Sequence, residues 1–318
     1  MRRADASSRR VGNVLHSSPQ RQLAAGMPCE TAAMSASFDS SHATRVAVSS
    51  DNDELQRFVN RYPRLFVLSG AGCSTGSGIP DYRDSQGAWK RTPPITLQVF
   101  LAQPLQRARY WARSMIGWRR FGSSAPNAGH YALARLEQRG LVEGLLTQNV
   151  DGLHQRSGSE NVIDLHGRLD TIRCMACEAR TPREDFQQRL VEANPPWAML
   201  DAAIAPDGDA DLQQADFGDF VIPACVRCGG MLKPDVVFFG ENVPRQRVDD
   251  AMAWLAGSDA MLVVGSSLMV YSGYRFAVAA KRLGKPIAAI NRGVTRADDL
   301  LDVKVDADCA TALHSLLD

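Results

Sequence analysis

Six short apolar runs, each bounded by turn-forming residues such as Gly, Asn or Asp, predict buried strands along the chain. They cover residues 64–69, 144–147, 162–165, 260–264, 286–290 and 303–305. Helical patterns of apolar residues lie between the runs, for example over residues 248–255 and 274–283. Strands that alternate with helices predict an α/β fold, a parallel sheet with helices on both faces.

Polar and glycine residues follow five of these predicted strands. They occupy residues 70–72, 148–149, 166–167, 265–267 and 291–293. Because ligands of parallel sheets bind beyond the carboxyl ends of the strands, we expect these residues to converge on one crevice.

The glycine turn after the first strand is similar to a dinucleotide fingerprint but departs from it. G-x-G-x-x-G fits residues 70–72, whereas Thr75 stands where the last glycine belongs. Glycines at this place let backbone amides approach a pyrophosphate at a helix start. The alternative is a sharp strand-to-helix turn without a ligand, so the turn alone is weak evidence for a Rossmann-like nucleotide site.

Two segments interrupt the alternation of strands and helices. Residues 85–127 read as an insertion that is helical around residues 97–118, and residues 168–235 read as a small inserted module. Residues 51–167 and 236–318 then form the Rossmann-like domain.

Residues 1–50 form an N-terminal tail that is rich in Arg and Ser and has few acids. We interpret it as disordered, or as the product of translation that begins upstream of a true start at Met27 or Met34. The alternative is a mitochondrial transit segment. No stretch approaches the ~18 apolar residues that span a bilayer. A cytoplasmic protein is expected, or a matrix protein if the tail is a transit peptide.

The charge of the chain is nearly balanced. Lys and Arg number 36, Asp and Glu number 35, and the net charge is +1. This balance gives no sign of a nucleic-acid or anionic-membrane surface. We therefore expect the chain to bind neither nucleic acid nor a membrane. We also expect it to be a monomer.

Four of the seven cysteines form two C-x-x-C pairs, Cys174 with Cys177 and Cys225 with Cys228. Two such turns supply the four thiolates that tetrahedral zinc prefers. A closed set of four cysteines leaves no position for water, so this zinc would be structural. The alternatives are two unrelated reduced pairs or a redox pair.

Several motifs occur together in one order. They are residues 70–83 (GAGCSTGSGIPDYR), 147–154 (TQNVDGLH), 165–167 (LHG), the two cysteine pairs, 233–241 (KPDVVFFGE) and 265–268 (GSSL). From residue 55 to the C-terminus the chain resembles the sirtuins, a family of NAD-dependent protein-lysine deacylases. Residues 110–113, 205–209 and 270–276 resemble the class II branch, whose animal members are the mitochondrial fourth paralogue.

The resemblance implies a set of NAD-binding residues. They are Gly70, Ala71, Gly72, Ser74, Thr75, Ile79, Asp81, Tyr82, Arg83, Gln148, Asn149, Val150, Asp151, Gly265, Ser266, Ser267, Asn291, Arg292, Gly293 and Cys309. NAD would be the co-substrate, alongside one structural zinc.

His166 follows the third predicted strand, and the resemblance implies that it is the general base. An acyl-lysine oxygen would attack the ribose carbon of NAD and expel nicotinamide, and an imidazole of near-neutral pKa would then deprotonate a ribose hydroxyl. Water would complete the reaction to free lysine and O-acyl-ADP-ribose. We interpret His154 as a structural, hydrogen-bonded histidine.

The substrate is expected to be an acylated peptide. Residues 236–239 favour a β conformation and could add a peptide strand at Val237 and Phe238, although they also suit a core strand. Phe238, Ile79 and Val150 would line an acyl tunnel. Tyr110 and Arg113 resemble a pair that binds acidic acyl groups, and the alternative is a solvated helix face.

NAD-dependent protein deacetylation is the function that these features predict. A deacylase that prefers acidic acyl groups is one alternative, and a protein mono-ADP-ribosyltransferase that uses the same pocket is another. A zinc-ribbon binding module and an NAD dehydrogenase fit less well, given the neutral charge and the broken fingerprint.

Overall fold

The computed structural model describes residues 40–91, 93–200, 209–210 and 216–317, without the side chains of residues 40–50. In chain order its strands are β1 (Leu65–Ser69), β2 (Val142–Thr147), β3 (Val162–Asp164), β4 (Gly167–Cys174), β5 (Arg180–Pro182), β6 (Leu232–Val236), β7 (Ala260–Val264), β8 (Ile287–Ile290) and β9 (Val303–Val305). Six of them form one sheet in the order β3-β2-β1-β7-β8-β9, and every neighbouring pair is parallel. The six predicted strands are therefore confirmed.

Helices pack on both faces of this sheet. In chain order the helices of the described residues are α1 (Ser40–Arg61), α2 (Leu97–Ala102), α3 (Pro104–Phe121), α4 (Ala128–Gln138), α5 (Leu153–Arg156), α6 (Arg183–Ala193), α7 (Pro195–Ala198), α8 (Arg245–Gly257), α9 (Tyr271–Arg282) and α10 (Cys309–His314). Successive side chains of β1 point to opposite faces, so Val67 packs with α1, α4 and α10 while Phe66 packs with α8 and α9. Burial on both faces explains why these strands are almost wholly aliphatic.

The cysteine-bearing segment adds a second, smaller sheet. Its strand order is β5-β4-β6, and both pairs are antiparallel. A separate apolar cluster joins this sheet to the helical insertion through Phe100, Trp111 and Phe186. The predicted α/β sheet with a small inserted module is confirmed.

The helical insertion consists of two helices, α2 and α3, over the region that the sequence predicted to be helical. Pro104 begins α3, and Gln103 before it is extended, with φ −116° and ψ 100°. Proline disfavours a helical conformation in the residue before it, so α2 ends at this point.

Helix α1 begins at Ser40, before the predicted boundary at residue 51. The rest of the predicted tail, residues 1–39, lies outside the described residues. Within the described ranges, no helix has the length and apolar character needed to cross a membrane.

Candidate active site

A cavity of about 430 Å³ opens at the carboxyl ends of the central strands. Most of the predicted site residues line it. They are Gly70, Ala71, Gly72, Ser74, Ile79, Asp81, Tyr82, Arg83, Tyr110, Gln148, Asn149, Val150, Asp151, His166, Val237, Phe238, Gly265, Ser266, Ser267, Asn291 and Arg292. The strand ends thus meet in one crevice, as parallel pairing requires.

Three of the predicted cofactor residues are not among the residues that line the cavity. The Thr75 hydroxyl donates to the carbonyl oxygen of Gly72, at 3.0 Å. Gly293 adopts a left-handed φ of 80° behind Arg292. Cys309 is buried, and its Sγ lies 3.9 Å from the carbonyl oxygen of Ile290. Their roles in NAD binding stay predictions.

The glycine turn is followed by two short 3-10 turns, Ala71–Cys73 and Thr75–Ser77. The expectation that a helix begins at the glycine turn is therefore wrong, because only short 3-10 turns form there. Gly78 takes a left-handed φ of 81° and Pro80 follows it, and both end a helix before it can extend. The N–H groups of Gly70 and Gly72 donate to the carbonyl oxygens of Val264 and Gly265, and the turn lacks the full dipole of a long helix.

Two glycines make the close approach of β1 and β7 possible. A Cβ placed on Gly72 would lie 2.9 Å from the carbonyl oxygen of Gly265. A Cβ on Gly265, whose φ is 61°, would lie 2.3 Å from the backbone nitrogen of Cys73. Any other residue at either position would force the two strand ends apart.

Side-chain hydrogen bonds fix the polar groups at the end of β2. Ser74 donates to Asp151 Oδ2 at 2.7 Å, and Asn149 donates to Ser74 Oγ at 2.9 Å. On the other side, Ser266 donates to Gln148 Oε1 at 2.6 Å. These bonds pre-arrange donors and acceptors in the crevice before a ligand arrives.

His166 lies between β3 and β4, and both of its ring nitrogens have partners. Nδ1 is 2.9 Å from the carbonyl oxygen of Gln148, and Nε2 is 2.8 Å from Ser272 Oγ. Burial lowers the pKa of His166; the Gln148 carbonyl raises it, and the charges of Arg247 and Arg275 lower it. The ring is therefore neutral at pH 7, which is the form that a general base requires.

A second group of possible metal ligands, Cys73, His130 and His154, lies buried beneath the crevice. His130 Nδ1 accepts the backbone N–H of Asn127 in the capping box of α4, so Nε2 of the neutral ring carries the hydrogen. The lone pair of His130 Nδ1 is therefore not available to a metal. Burial raises the pKa of the Cys73 thiol well above its usual value, so the thiol keeps its proton. His154 is 2.8 Å from Ser69 Oγ, in agreement with a structural role. The group is a neutral polar core.

An apolar cluster forms one end of the crevice. Ile79, Phe121 and Leu169 are buried there, with Val150 and Val236 packed against them. This lining suits an uncharged acyl chain.

Tyr110 and Arg113 are not brought together at the cavity. Tyr110 lines it and packs against Phe238, with ring centroids 5.3 Å apart. Arg113 Nε instead donates to the carbonyl oxygen of Ala210, at 2.7 Å. In this arrangement the guanidinium does not face the crevice as the acidic-acyl interpretation needs.

Residues 236–239 are held by an ion pair whose lysine is buried and whose glutamate is half-buried. Lys233 lies 3.1 Å from Glu241 Oε2, which also accepts the backbone N–H of Phe238, at 2.9 Å. Strand β6 covers only Leu232–Val236, and Val237 donates its N–H to the carbonyl oxygen of His166. The ion pair thus fixes the loop that carries the predicted substrate residues next to the base.

The structure adds crevice residues that the sequence interpretation missed. Ser272, Trp89 and Phe121 all line the cavity. Arg83 lies over the Trp89 ring, 4.0 Å from its centroid. Ser272 lies within residues 270–276, which resemble the class II branch, and this was the one signal available from sequence.

The four module cysteines lie close enough to share one ion. Sγ of Cys174 is 3.5 Å from that of Cys228, and Sγ of Cys177 is 3.8 Å from that of Cys225. Tetrahedral Zn–S bonds of ~2.3 Å place sulfurs about 3.8 Å apart. Backbone N–H groups of Cys177 and Ala176 lower the pKa of Cys174 to about 6, which favours a thiolate. The cysteines fit a structural zinc.

Comparison with known proteins agrees with an NAD-dependent α/β enzyme. The model of the Sir2 family matches residues 70–272. An NAD-dependent protein deacetylase of Xanthomonas campestris pv. campestris (strain 8004) is 65% identical over 271 residues, which cover 85% of this chain and 92% of the relative. One from Streptomyces coelicolor is 50% identical over 254 residues, 80% of this chain and 85% of the relative.

Solved structures show the same architecture. A Sir2 structure with a p53 peptide and NAD+ has a TM-score of 0.65 and 29% identity, and the match covers 83% of this chain and 96% of that one. A structure of Sir2 enzymes described for their mechanism and regulation has a TM-score of 0.67 and 30% identity, covering 84% and 96%. The chain belongs to the Sir2 family.

Proposed function

We propose that the chain deacetylates protein lysines with NAD as co-substrate and His166 as general base. The main support is that the neutral imidazole of His166 lies in the same cavity as the glycine turn. The hydrogen bonds that join Ser74 to Asp151 and Asn149 lie in this cavity too. Relatives at 65% and 50% identity are NAD-dependent protein deacetylases, and related structures hold NAD+ and acetylated peptides.

The residues divide the work along the crevice. NAD, when bound, supplies a ribose carbon that carries nicotinamide as a leaving group. The glycine turn, which lines the cavity, would lie beside its phosphates, and Asn149 and Asp151 are held for the ribose and nicotinamide end. His166 Nε2 is the basic nitrogen when a ribose hydroxyl is deprotonated, because Nδ1 is already bound to the Gln148 carbonyl.

Short uncharged acyl groups are the proposed substrates. Ile79, Phe121 and Leu169 form an apolar lining, while Arg113 is bound to Ala210 away from the cavity. Burying a carboxylate against this apolar lining would be costly unless a charged partner reached it. The peptide would lie along residues 236–239, which the Lys233–Glu241 pair holds beside His166.

A panel of acyl-lysine peptides tests the proposal. With NAD, the acetyl peptide should release one nicotinamide and one O-acetyl-ADP-ribose per lysine, and succinyl, glutaryl and methylglutaryl peptides should react far more slowly. Equal or faster turnover of the acidic peptides would restore the acidic-acyl alternative. Transfer of ADP-ribose to protein without lysine release would favour the ADP-ribosyltransferase.

Two further proposals concern the location and the assembly of the protein. We place the protein in the cytoplasm as a monomer that binds acylated proteins. Light scattering on the purified chain tests the monomer, and fractionation of the producing cells tests the location.

A further inference from the structure

A hydroxyl group already occupies the nitrogen that is assigned as the base. Ser272 Oγ lies 2.8 Å from Nε2 of His166, and the Gln148 carbonyl lies 2.9 Å from Nδ1. A carbonyl oxygen can only accept, so Nδ1 carries the hydrogen and Nε2 carries the lone pair. The Ser272 hydroxyl therefore donates to Nε2 in the neutral ring.

This contact leaves a ribose hydroxyl no direct route to the base. An imidazole nitrogen has one lone pair in the ring plane, and Ser272 uses it. Ser272 is half-buried and lines the same cavity as His166, so it lies beside a ligand in the crevice. A ligand hydroxyl can reach the Ser272 oxygen without displacing the serine.

The protonated ring also needs an acceptor. Arg247 and Arg275 both lower the pKa of His166, and among the described residues its hydrogen-bond partners are Gln148 and Ser272. No carboxylate among these partners balances an imidazolium. Once Nε2 carries a hydrogen, Ser272 Oγ can accept it in a charge-assisted bond.

We propose that Ser272 relays the proton from the ribose hydroxyl to His166, an inference that rests on the proposed function. Ser272 Oγ takes the proton of the ribose hydroxyl while its own O–H bond breaks and that proton passes to Nε2. The serine ends as a hydroxyl that accepts from Nε2–H. The ribose oxygen is left with the electron pair that it needs as a nucleophile.

Removing the hydroxyl should separate two partial reactions. Ser272→Ala should slow single-turnover deacetylation by about 10²-fold, within the range of a general-base contribution. Exchange of labelled nicotinamide into NAD, which needs only attack by the acyl oxygen, should stay near the parent rate. Ser272→Thr keeps a hydroxyl and should restore most deacetylation. An unchanged ratio of the two rates in Ser272→Ala would overturn the relay.

A double-mutant cycle tests whether the two residues act as one unit. The variant with both His166→Ala and Ser272→Ala should be no slower in deacetylation than His166→Ala alone. Independent, multiplying losses would show that Ser272 acts elsewhere. If His166→Ala keeps full deacetylation, the assignment of the base fails, and that failure is distinct from a failure of the relay.

A measurement without NAD or peptide tests the resting contact itself. In nitrogen NMR of the imidazoles, Nε2 of His166 should report a lone pair that accepts a hydrogen bond. In Ser272→Ala its resonance should move toward that of a free lone pair, and in Ser272→Thr it should not. An unmoved resonance in Ser272→Ala would show that the serine does not bind the ring in solution.

Discussion

The four-cysteine module and the crevice differ in how they collect their functional side chains. The module takes its thiols from two short turns, Cys174–Cys177 and Cys225–Cys228. The crevice takes its groups from the ends of five strands and the start of α9. The module therefore depends on an ion, whereas the crevice depends on the register of the whole sheet. Either region should therefore be able to lose its function while the other keeps it, and the following experiments test that separation.

The largest expected effect is a loss of deacetylation while the crevice still binds NAD and the module still binds zinc. His166→Ala should reduce deacetylation by about 10²–10⁴-fold, because a positioned base contributes that much. NAD affinity by calorimetry and zinc content by mass spectrometry should stay at parent values. Near-parent deacetylation would remove His166 from the role.

Loss of the ion should act on the module first. Cys177→Ser should lower the zinc content well below one per chain and lower the melting temperature, since metal binding contributes directly to folding of such sites. Cys309→Ser, which changes a buried cysteine outside the module, serves as the cysteine control and should keep one zinc. Full zinc content in Cys177→Ser would mean that this thiol is not a ligand.

A side chain added at the contact between Gly72 and Gly265 should weaken NAD binding, while the zinc content stays unchanged. Gly265→Ala adds a Cβ 2.3 Å from the Cys73 nitrogen at a φ of 61°, which should cost about 1–3 kcal/mol. Gly284→Ala is the matched control, because Gly284 has a φ of 67° and nothing lies within 4 Å of its Cβ. If both variants lose the same stability and NAD affinity, the close contact is not what matters.

The smallest effect is a pH dependence of stability from the polar core under the crevice. Burial lowers the pKa of His130 to about 4 and that of His154 well below its usual value. The unfolded chain binds more protons below pH ~6.5, so stability should fall as the pH drops from there toward 4. Melting curves across this range, with zinc content followed at each pH, measure the slope.

His130→Asn should make that slope shallower. His314→Ala, on the exposed side of α10, should leave it unchanged. Equal slopes in all three proteins would assign the acid sensitivity to other groups.

The sequence predicted the parts of the fold that local pattern controls. The aliphatic runs of β1 and β7 mark buried parallel strands, and Cys174 and Cys177 mark half of a metal site without any tertiary information. The break before Pro104 and the 3-10 turns after Gly72 were missed, because a helical pattern of apolar residues does not show where a proline or a left-handed glycine interrupts it.

The site was predictable as a set of strand ends but not as a set of contacts. Which way Arg113 turns depends on Ala210, nearly a hundred residues away, and no spacing reveals it. The sequence also does not reveal the contact of Ser272, at the start of α9, with His166, which lies between β3 and β4. Contacts between distant segments are fixed by the packing of whole elements, which the one-dimensional pattern does not contain.

The backbone contact between Gly72 and Gly265 limits how this enzyme can be redesigned. Where the two backbones touch, no side chain is present to be exchanged, so substitution cannot alter the shape of this part of the crevice. Altered cofactors or bulkier acyl groups must be accommodated from the rim, at positions such as Ile79 and Phe121. Directed evolution of the chain should therefore collect its gains there and leave both glycines untouched.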